Sequence, residues 1–129
     1  MAGFAYTILY VQDVVRSVEF YERAFGLERK FIAEGDIYAE LLTGSTTLSL
    51  ASINLAKSNL PGGFTEADRS QKPFAIEIGF TTDNVEETYQ LAVAAGAMPV
   101  EPAKTKPWGQ VVAYVRDLDG FLVEICSAI

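Results

Sequence analysis

The chain has 129 residues, of which half are apolar and 12% are aromatic, enough for one packed domain with little room for a second. Seventeen acidic side chains against ten basic ones give a formal net charge of −7, which argues against nucleic acid or an anionic membrane as partner. The same charge favours neutral or cationic ligands, although solubility alone also explains it. Histidine is absent, which excludes histidine-based acid–base catalysis and every metal site that needs imidazole.

The compartment is predicted from three further features. No apolar run approaches the roughly 20 residues that a membrane span needs. The first residues, MAGFAYTILY, contain no basic segment and continue directly into a predicted strand, so they do not resemble a signal peptide. The single cysteine, Cys126, lies in the apolar run FLVEICSAI and is expected to be buried and inert. Together these features predict a cytoplasmic protein.

The first half of the chain predicts a strand, a helix and three short strands. Phe4–Val11 is rich in β-branched and aromatic residues, which is typical of a strand. Asp13 is a predicted N-cap, apolar residues then recur at helical spacing, and Gly26 provides the stop. The following strands are predicted at Glu28–Ala33, Ile37–Thr43 and Thr46–Ala51.

The second half repeats this order. Phe74–Thr81 is a predicted strand, and Asp83 is expected to cap a helix in a capping-box-like pair with Glu86. Gly96 is the predicted stop, 13 residues after Asp83, which is also the spacing in the first half. The closing strands are predicted near Met98–Pro102, Gln110–Arg116 and Phe121–Cys126. The sequence therefore predicts an internal duplication over residues of about 4–51 and 74–126.

The stretch Ser52–Pro73 separates the two repeats. It is about 22 residues long and contains Asn, Gly, Ser and Pro, which predicts a loop. Loops of this length are usually functional or serve as linkers, so we expect a linker that also borders a ligand pocket.

Three segments carry a family resemblance. TILYVQDVVRSVEFYERAFGLE and GFTTDNVEETYQLAVAAGA resemble the first and second strand–helix units of the glyoxalase/bleomycin-resistance/extradiol-dioxygenase (vicinal oxygen chelate) superfamily. KPWGQVVAYVRDLDGFLVEI resembles its closing hairpin, with Asp-Leu-Asp-Gly where Asp-Pro-Asp-Gly is usual. The resemblance implies one α+β domain over residues 1–129, in which two βαβββ modules pair into a curved, incomplete mixed β-barrel around a cavity. It also implies a homodimer.

The resemblance also implies four site positions, which in metal-dependent members supply the metal ligands. The first and third fall on Tyr6 and Glu77, where histidine is usual in glyoxalase I-like members. The second falls near Ser49, where glutamate is common. Only the fourth, Glu124, keeps the carboxylate of the family.

Strand alternation supports a cavity at Glu77. Ala75, Glu77 and Gly79 share one side of the predicted strand, and the small neighbours leave space there. A poorly solvated carboxylate has a raised pKa and suits a general base, while a solvent-facing glutamate is the alternative. Glu77 and Glu124 are at best a weak Mg²⁺ or Mn²⁺ site, with Glu40 a candidate third carboxylate. We therefore expect either no cofactor or a weakly held divalent ion.

Aromatic side chains supply further candidate ligand contacts. Trp108, in KPWGQ, offers a flat face on which a heteroaromatic ring or a cation can stack, although it can equally be a packed turn residue. Tyr114 is assigned to the ligand-binding set with Tyr6 and Ser49. Tyr38, Phe64 and Arg116 are weaker candidates.

Two functions compete at this point. The first is a small-molecule-binding protein of the bleomycin-resistance type, with a cavity lined by acidic and aromatic residues and no histidine-based metal site. The second is a glyoxalase I-like lyase or isomerase that uses Glu77 and Glu124 as base and metal ligand. An extradiol dioxygenase needs two histidines and a carboxylate for iron and is excluded. The fold alone does not decide between the first two.

Overall fold

The computed structural model describes all residues from Met1 to Ile129. The chain divides into two compact units. Unit 1 comprises 1–22 and 26–66, and unit 2 comprises 23–25 and 67–129. Each unit contains one four-stranded mixed sheet, which confirms the α+β class and the predicted repeat. Neither sheet closes into a barrel, and no helix is both long and apolar enough to cross a membrane.

The sheet of unit 1 has the strand order β1-β4-β3-β2, with β1 parallel to β4 and the other neighbours antiparallel. Side chains alternate between the two faces of this sheet, and those on one face, which include Leu9, Val11 and Leu50, are buried. All four strands were predicted, with bounds that differ by at most two residues. Unit 1 contains β1 (Tyr6–Val11), β2 (Glu28–Ile32), β3 (Tyr38–Leu42), β4 (Thr47–Ser52) and, apart from its last turn, α1 (Val14–Phe25).

Helix α1 begins and ends as predicted. The Asp13 carboxylate accepts a hydrogen bond from the Arg16 backbone N–H at 3.1 Å, which satisfies one free donor of the first turn. Gly26 ends the helix with a φ of 68°, a left-handed conformation that glycine adopts without strain. Val14, Val18 and other apolar residues of α1 are buried, so one face of this helix belongs to the hydrophobic core.

The sheet of unit 2 has the equivalent order β5-β8-β7-β6, with β5 parallel to β8. Val123, Ile125, Ala113 and Val115 point to one face and are completely buried. Strand β5 begins at Glu77, three residues later than predicted, and β6 continues to Thr105. The elements of unit 2 are β5 (Glu77–Thr81), α3 (Val85–Ala94), β6 (Met98–Thr105), β7 (Val111–Arg116) and β8 (Leu122–Cys126).

The predicted cap of α3 was wrong by one residue. Asn84, not Asp83, is the N-cap, and its side-chain oxygen accepts from the Glu87 backbone N–H at 3.1 Å. The sequence offers two overlapping pairs of the same type, Asp83 with Glu86 and Asn84 with Glu87. The backbone decides between them, because Asn84 has the extended conformation (φ −137°, ψ 90°) that an N-cap adopts. Helix α3 consequently has 10 residues where α1 has 12.

The segment between the repeats was predicted to be a loop, and this prediction is wrong for its first residues. It begins with helix α2 (Ile53–Asn59), which the Ser52 hydroxyl caps by accepting from the Leu55 backbone N–H at 3.1 Å. Ile53 and Ala56 are buried on its inner side. The rest of the predicted loop, from residue 60 to residue 73, contains neither helix nor strand.

Candidate functional site

Glu77, Tyr114 and Glu124 lie on one face of the unit 2 sheet. Tyr114 and Glu124 are cross-strand partners on β7 and β8, and the Tyr114 hydroxyl donates to Oε1 of Glu124 at 3.2 Å. Gly79 faces Glu124 from β5. A Cβ placed at Gly79 would lie 3.5 Å from Oε2 of Glu124, so the glycine leaves room beside the carboxylate. We call these three residues the Glu77–Tyr114–Glu124 cluster.

The cluster concentrates negative charge around one phenol. Glu77 is exposed at the start of β5, yet partial loss of hydration, followed by the charge of Glu124, raises the pKa of its carboxyl, and a hydrogen bond from Tyr114 opposes the rise. Burial, the charges of Glu124 and Glu77 and its hydrogen bonds raise the pKa of Tyr114 to about 12. Tyr114 therefore keeps its proton at neutral pH. A phenol donates one hydrogen bond, so it serves only one of the two carboxylates at a time.

Cys126 lies beside this cluster. It is 6% exposed, and its Sγ is 3.6 Å from the backbone oxygen of Phe80. Burial and then the charge of Glu124 raise the pKa of the Cys126 thiol. The expectation that this cysteine is buried is confirmed. Because the thiolate is the nucleophilic form, a raised pKa also makes Cys126 a poor nucleophile.

Trp108 lies in the turn between β6 and β7 and is 65% exposed. Its indole Nε1 donates to Oε1 of Gln110 at 2.9 Å, and Nε2 of Gln110 donates to the backbone oxygen of Ser127 at 2.9 Å. The ring is thus oriented by Gln110 while its surface stays open. The Gln110 side chain also interacts with the Cys126 thiol. Sequence reasoning missed Gln110, whose neighbours depend on the pairing of β7 with the end of the chain.

Unit 1 carries the other two predicted positions. Tyr6 is 52% exposed on edge strand β1, whereas Ser49 on β4 is completely buried. Ser49 faces Ile8 of the parallel neighbour, as Glu124 faces Gly79 in unit 2, so the two residues are equivalent in the repeat. The Ser49 Oγ is 3.0 Å from the Tyr38 hydroxyl, which is 2.8 Å from Oε2 of Glu40. Tyr38 and Glu40, secondary candidates in the sequence, are therefore brought together with Ser49.

Two other candidate pocket residues are engaged in structural contacts. The Phe64 ring packs on Tyr10, with ring centroids 4.9 Å apart. Arg116 is 4% exposed, and its guanidinium donates to four backbone carbonyls, three of them in the segment before β5. These acceptors belong to Gly120, Arg69, Gln71 and Asp68. Arg116 therefore joins this segment to the β7–β8 hairpin and has little remaining capacity to bind a ligand.

The comparisons with known proteins identify the family. The model of the Glyoxalase/Bleomycin resistance protein/Dioxygenase superfamily matches residues 3–125. The chain therefore belongs to this superfamily, as its sequence motifs predicted. No protein with a curated description matches the chain.

Solved structures with the same fold extend this result. A glyoxalase-related enzyme from Fulvimarina pelagi has a TM-score of 0.85 at 21% identity, covering 99% of this chain and 89% of its own. TioX from Micromonospora sp. ML1 has a TM-score of 0.70 at 25% identity, and the match covers 99% of this chain and 100% of TioX. A lactoylglutathione lyase from Agrobacterium tumefaciens has a TM-score of 0.69 at 23% identity, and the match covers 99% of this chain and 95% of the lyase. The first and third likenesses show the fold alone.

The residues of this chain do not fit the metal centre of the metal-dependent members. No three histidine, cysteine, aspartate or glutamate side chains come together in a metal-binding arrangement. Glu77 and Glu124 are accompanied by a phenol that keeps its proton, and a protonated phenol is a poor ligand for a hard cation.

Proposed function

We propose that the protein binds a small organic molecule at the Glu77–Tyr114–Glu124 cluster and does not transform it. The observation that carries this proposal is the single phenol O–H between two carboxylates. One carboxylate always lacks that donor, and the two negative charges repel each other. A ligand that brings a positive charge or N–H and O–H donors satisfies both needs, so the preferred ligand is cationic or a neutral hydrogen-bond donor.

The chemistry of the surrounding residues supports binding without turnover. The chain has no histidine, and Cys126 keeps its proton because its pKa is raised. A covalent step needs a nucleophile with an adjacent base, and this constellation is missing around the cluster. Superfamily membership is compatible with this role, because one fold carries many functions.

A second candidate function rests on the raised pKa of Glu77. A general base works best when its pKa is close to the working pH, and partial loss of hydration together with the charge of Glu124 moves the pKa of Glu77 in that direction. Glu77 would then remove a proton from a substrate, with the Tyr114 hydroxyl donating to the charge that develops. This is the lyase or isomerase alternative, without a firmly held metal.

The test begins with identification of what copurifies with the protein, by native mass spectrometry and by chromatography of a denatured extract. The ligand found is then titrated by calorimetry into the wild type, Glu77→Gln, Glu124→Gln and Glu86→Gln. Glu86 is exposed on α3 and controls for the loss of one negative charge. We expect weaker binding in the first two variants only.

Two results would change the proposal. Equal affinity in all four proteins would place the ligand elsewhere. Metal-dependent formation of lactoylglutathione that is lost in Glu124→Gln and kept in Glu86→Gln would replace the binding function with the lyase function.

A further inference from the structure

We infer that Arg116 is a positioning residue for the Glu77–Tyr114–Glu124 cluster, because it fixes the segment that leads into β5 and thereby the place at which Glu77 enters the sheet. We call this segment, residues 68–74, the strap. The strap, Arg116 and the cluster all belong to unit 2. The inference rests on the proposed function in one respect, since it takes the cluster to be the binding site.

The side chain of Arg116 lies on the same face of the unit 2 sheet as the cluster. Ala113 and Val115 of β7 are completely buried in the core, so strand alternation places Tyr114 and Arg116 on the opposite face. Arg116 is nevertheless only 4% exposed. Because its guanidinium donates to backbone oxygens of the strap, the strap lies against this end of the cluster's face.

The Arg116 guanidinium connects the strap to the β7–β8 hairpin. It donates at 2.8 Å to the backbone oxygen of Gly120 in the hairpin turn. Its other bonds, of 2.9, 3.2 and 2.6 Å, go to the backbone oxygens of Asp68, Arg69 and Gln71. Gly120 permits this close approach, since a Cβ there would lie only 3.1 Å from the Arg69 nitrogen and 3.2 Å from the Asp68 carbonyl carbon. One side chain thus binds three strap carbonyls and the hairpin together.

The strap leads directly into β5. Its last residue, Phe74, packs on Phe121 of the hairpin, with ring centroids 6.0 Å apart. Only Ala75 and Ile76 then precede Glu77, and both are exposed. Glu77 is the first residue of β5, an edge strand that pairs with β8 alone. The strap is therefore the nearest packed part of the chain on the N-terminal side of Glu77.

The register of the sheet brings Arg116 and Glu77 to the same end. Both are partners of Leu122, Arg116 from β7 and Glu77 from β5. Two strand spacings separate their Cα atoms, which is about 10 Å. A displaced strap would move the start of β5 and leave the β7–β8 pairing of Tyr114 with Glu124 unchanged. The position of Glu77 relative to the other two groups therefore depends on the strap.

This dependence reaches the binding of a ligand. The hydrogen bond from Tyr114 and the charge of Glu124 both act on Glu77, and both interactions weaken as Glu77 moves away. If the strap is released, a cationic ligand meets one carboxylate in place of two. Arg116 thus sets the affinity of the cluster without contacting the ligand.

The experiment compares the full-length wild type with Arg116→Lys, which keeps the charge and replaces the planar fork with a single ammonium group. Carboxyl ¹³C NMR follows Glu77, and calorimetry follows the binding of benzylammonium as a probe cation. We expect the pKa of Glu77 to move towards its ordinary value and benzylammonium to bind about three- to tenfold more weakly. The amide signals of Ala113 and Val115 report whether the core is kept.

The decisive second variant is the double substitution Ala75→Gly and Ile76→Gly. It leaves the bonds of the strap intact and loosens only the exposed link between the strap and Glu77. It should reproduce both changes seen in Arg116→Lys. The matched control is Phe4→Gly with Ala5→Gly, because these two exposed residues precede β1 as residues 75 and 76 precede β5. The control should leave the pKa of Glu77 and the binding unchanged.

A double-mutant cycle separates positioning from a general loss of stability. If Arg116 acts through Glu77, Arg116→Lys should cost little further benzylammonium affinity in the Glu77→Gln background. Fully additive effects would overturn the inference. An unchanged pKa of Glu77 in the glycine double variant would overturn it as well.

Failure of the proposed function gives a different result. If Glu77→Gln and Glu124→Gln bind benzylammonium as tightly as the wild type, the cluster is not the binding site for this cation. The pKa of Glu77 in Arg116→Lys and in the glycine double variant then still decides whether the strap positions this carboxylate.

Discussion

Tyr114 and Glu124 are cross-strand partners whose side chains are joined by a hydrogen bond of 3.2 Å, with the negative charge of Glu77 close to both. This arrangement makes the pKa of Glu77 depend on the charge of Glu124 and on the Tyr114 hydroxyl. This dependence can be measured before any ligand is known.

The first prediction concerns the charge of Glu124. Because this charge raises the pKa of Glu77, Glu124→Gln should lower the pKa of Glu77 towards its ordinary value. Tyr114→Phe should move it the other way, since the Tyr114 hydrogen bond holds it down. Carboxyl ¹³C NMR titration of the three proteins measures both changes. Shifts of the same sign in the two variants would show that the cluster is arranged differently.

The second prediction concerns stability and pH. The folded-state pKa of Glu77 lies above its unfolded value, so between the two values the folded protein binds more protons than the unfolded chain. The free energy of unfolding should therefore fall as the pH rises through this window, which begins at the ordinary glutamate pKa. Glu77→Gln should lack this component of the decline. Urea unfolding at several pH values measures it, and parallel curves for both proteins would contradict the prediction.

The third prediction concerns Arg116. Replacing it with methionine would remove the donor to the backbone oxygens of Gly120, which is buried, and of the partly buried 68–71 segment. The free energy of unfolding should fall by about 2–4 kcal/mol, and the amides near residue 70 should exchange faster. Arg29→Met is the control, because the Arg29–Glu22 pair is exposed and should contribute about 1 kcal/mol or less. A similar small loss in both variants would mean that Arg116 does not hold the segment.

The fourth prediction is a homodimer, which we propose from the exposed apolar side chains on edge strand β1. Tyr6 and Ile8 are 52% and 42% exposed there. An edge strand with exposed apolar side chains is usually covered by another element or another chain. Light scattering should give twice 14.1 kDa at micromolar concentration. Ile8→Lys should shift the mass towards the monomer, and a monomeric wild type would exclude the dimer.

The strands and the repeat were predictable because they depend on local signals. The β-branched and aromatic residues of Phe4–Val11 predicted β1, and Asp13 and Gly26 bounded α1. Helix α2 was not predicted because its seven residues span fewer than two helical turns, which is too short for apolar residues to recur visibly at helical spacing. The cap of α3 was ambiguous because two equivalent pairs overlap by one residue.

The candidate sites were predictable only in part, since they depend on pairing between distant strands. Alternation and the family resemblance placed Glu77 and Glu124 in a site. The bond between Tyr38 and Ser49 joins residues 11 positions apart and depends on the register of β3 with β4. Arg116 was only a weaker pocket candidate, and its structural role was not predictable because its acceptors are backbone oxygens up to 48 positions away, which no side-chain pattern reveals.

The fifth prediction is that Trp108 lies beside the ligand bound at the Glu77–Tyr114–Glu124 cluster. Gln110 connects the two regions, because it accepts from the indole Nε1 and also interacts with Cys126, whose thiol is next to Glu124. The exposed ring is then oriented so that a planar or cationic ligand can stack on it, a contact that contributes about 0.5–2 kcal/mol. Trp108 is the only tryptophan, so its fluorescence reports this position alone.

Binding of the ligand at the cluster should quench or shift the emission, and Trp108→Ala should weaken binding by up to about thirtyfold without loss of the fold. Gln110→Ala should alter the emission of the free protein and weaken binding less, because it removes the orienting bond and keeps the ring. Trp108→Phe is the control that preserves an aromatic face, and it should recover part of the lost affinity. If the ligand binds Trp108→Ala as tightly as the wild type and leaves the wild-type emission unchanged, Trp108 is a turn residue held by Gln110, and the ligand lies elsewhere on the sheet.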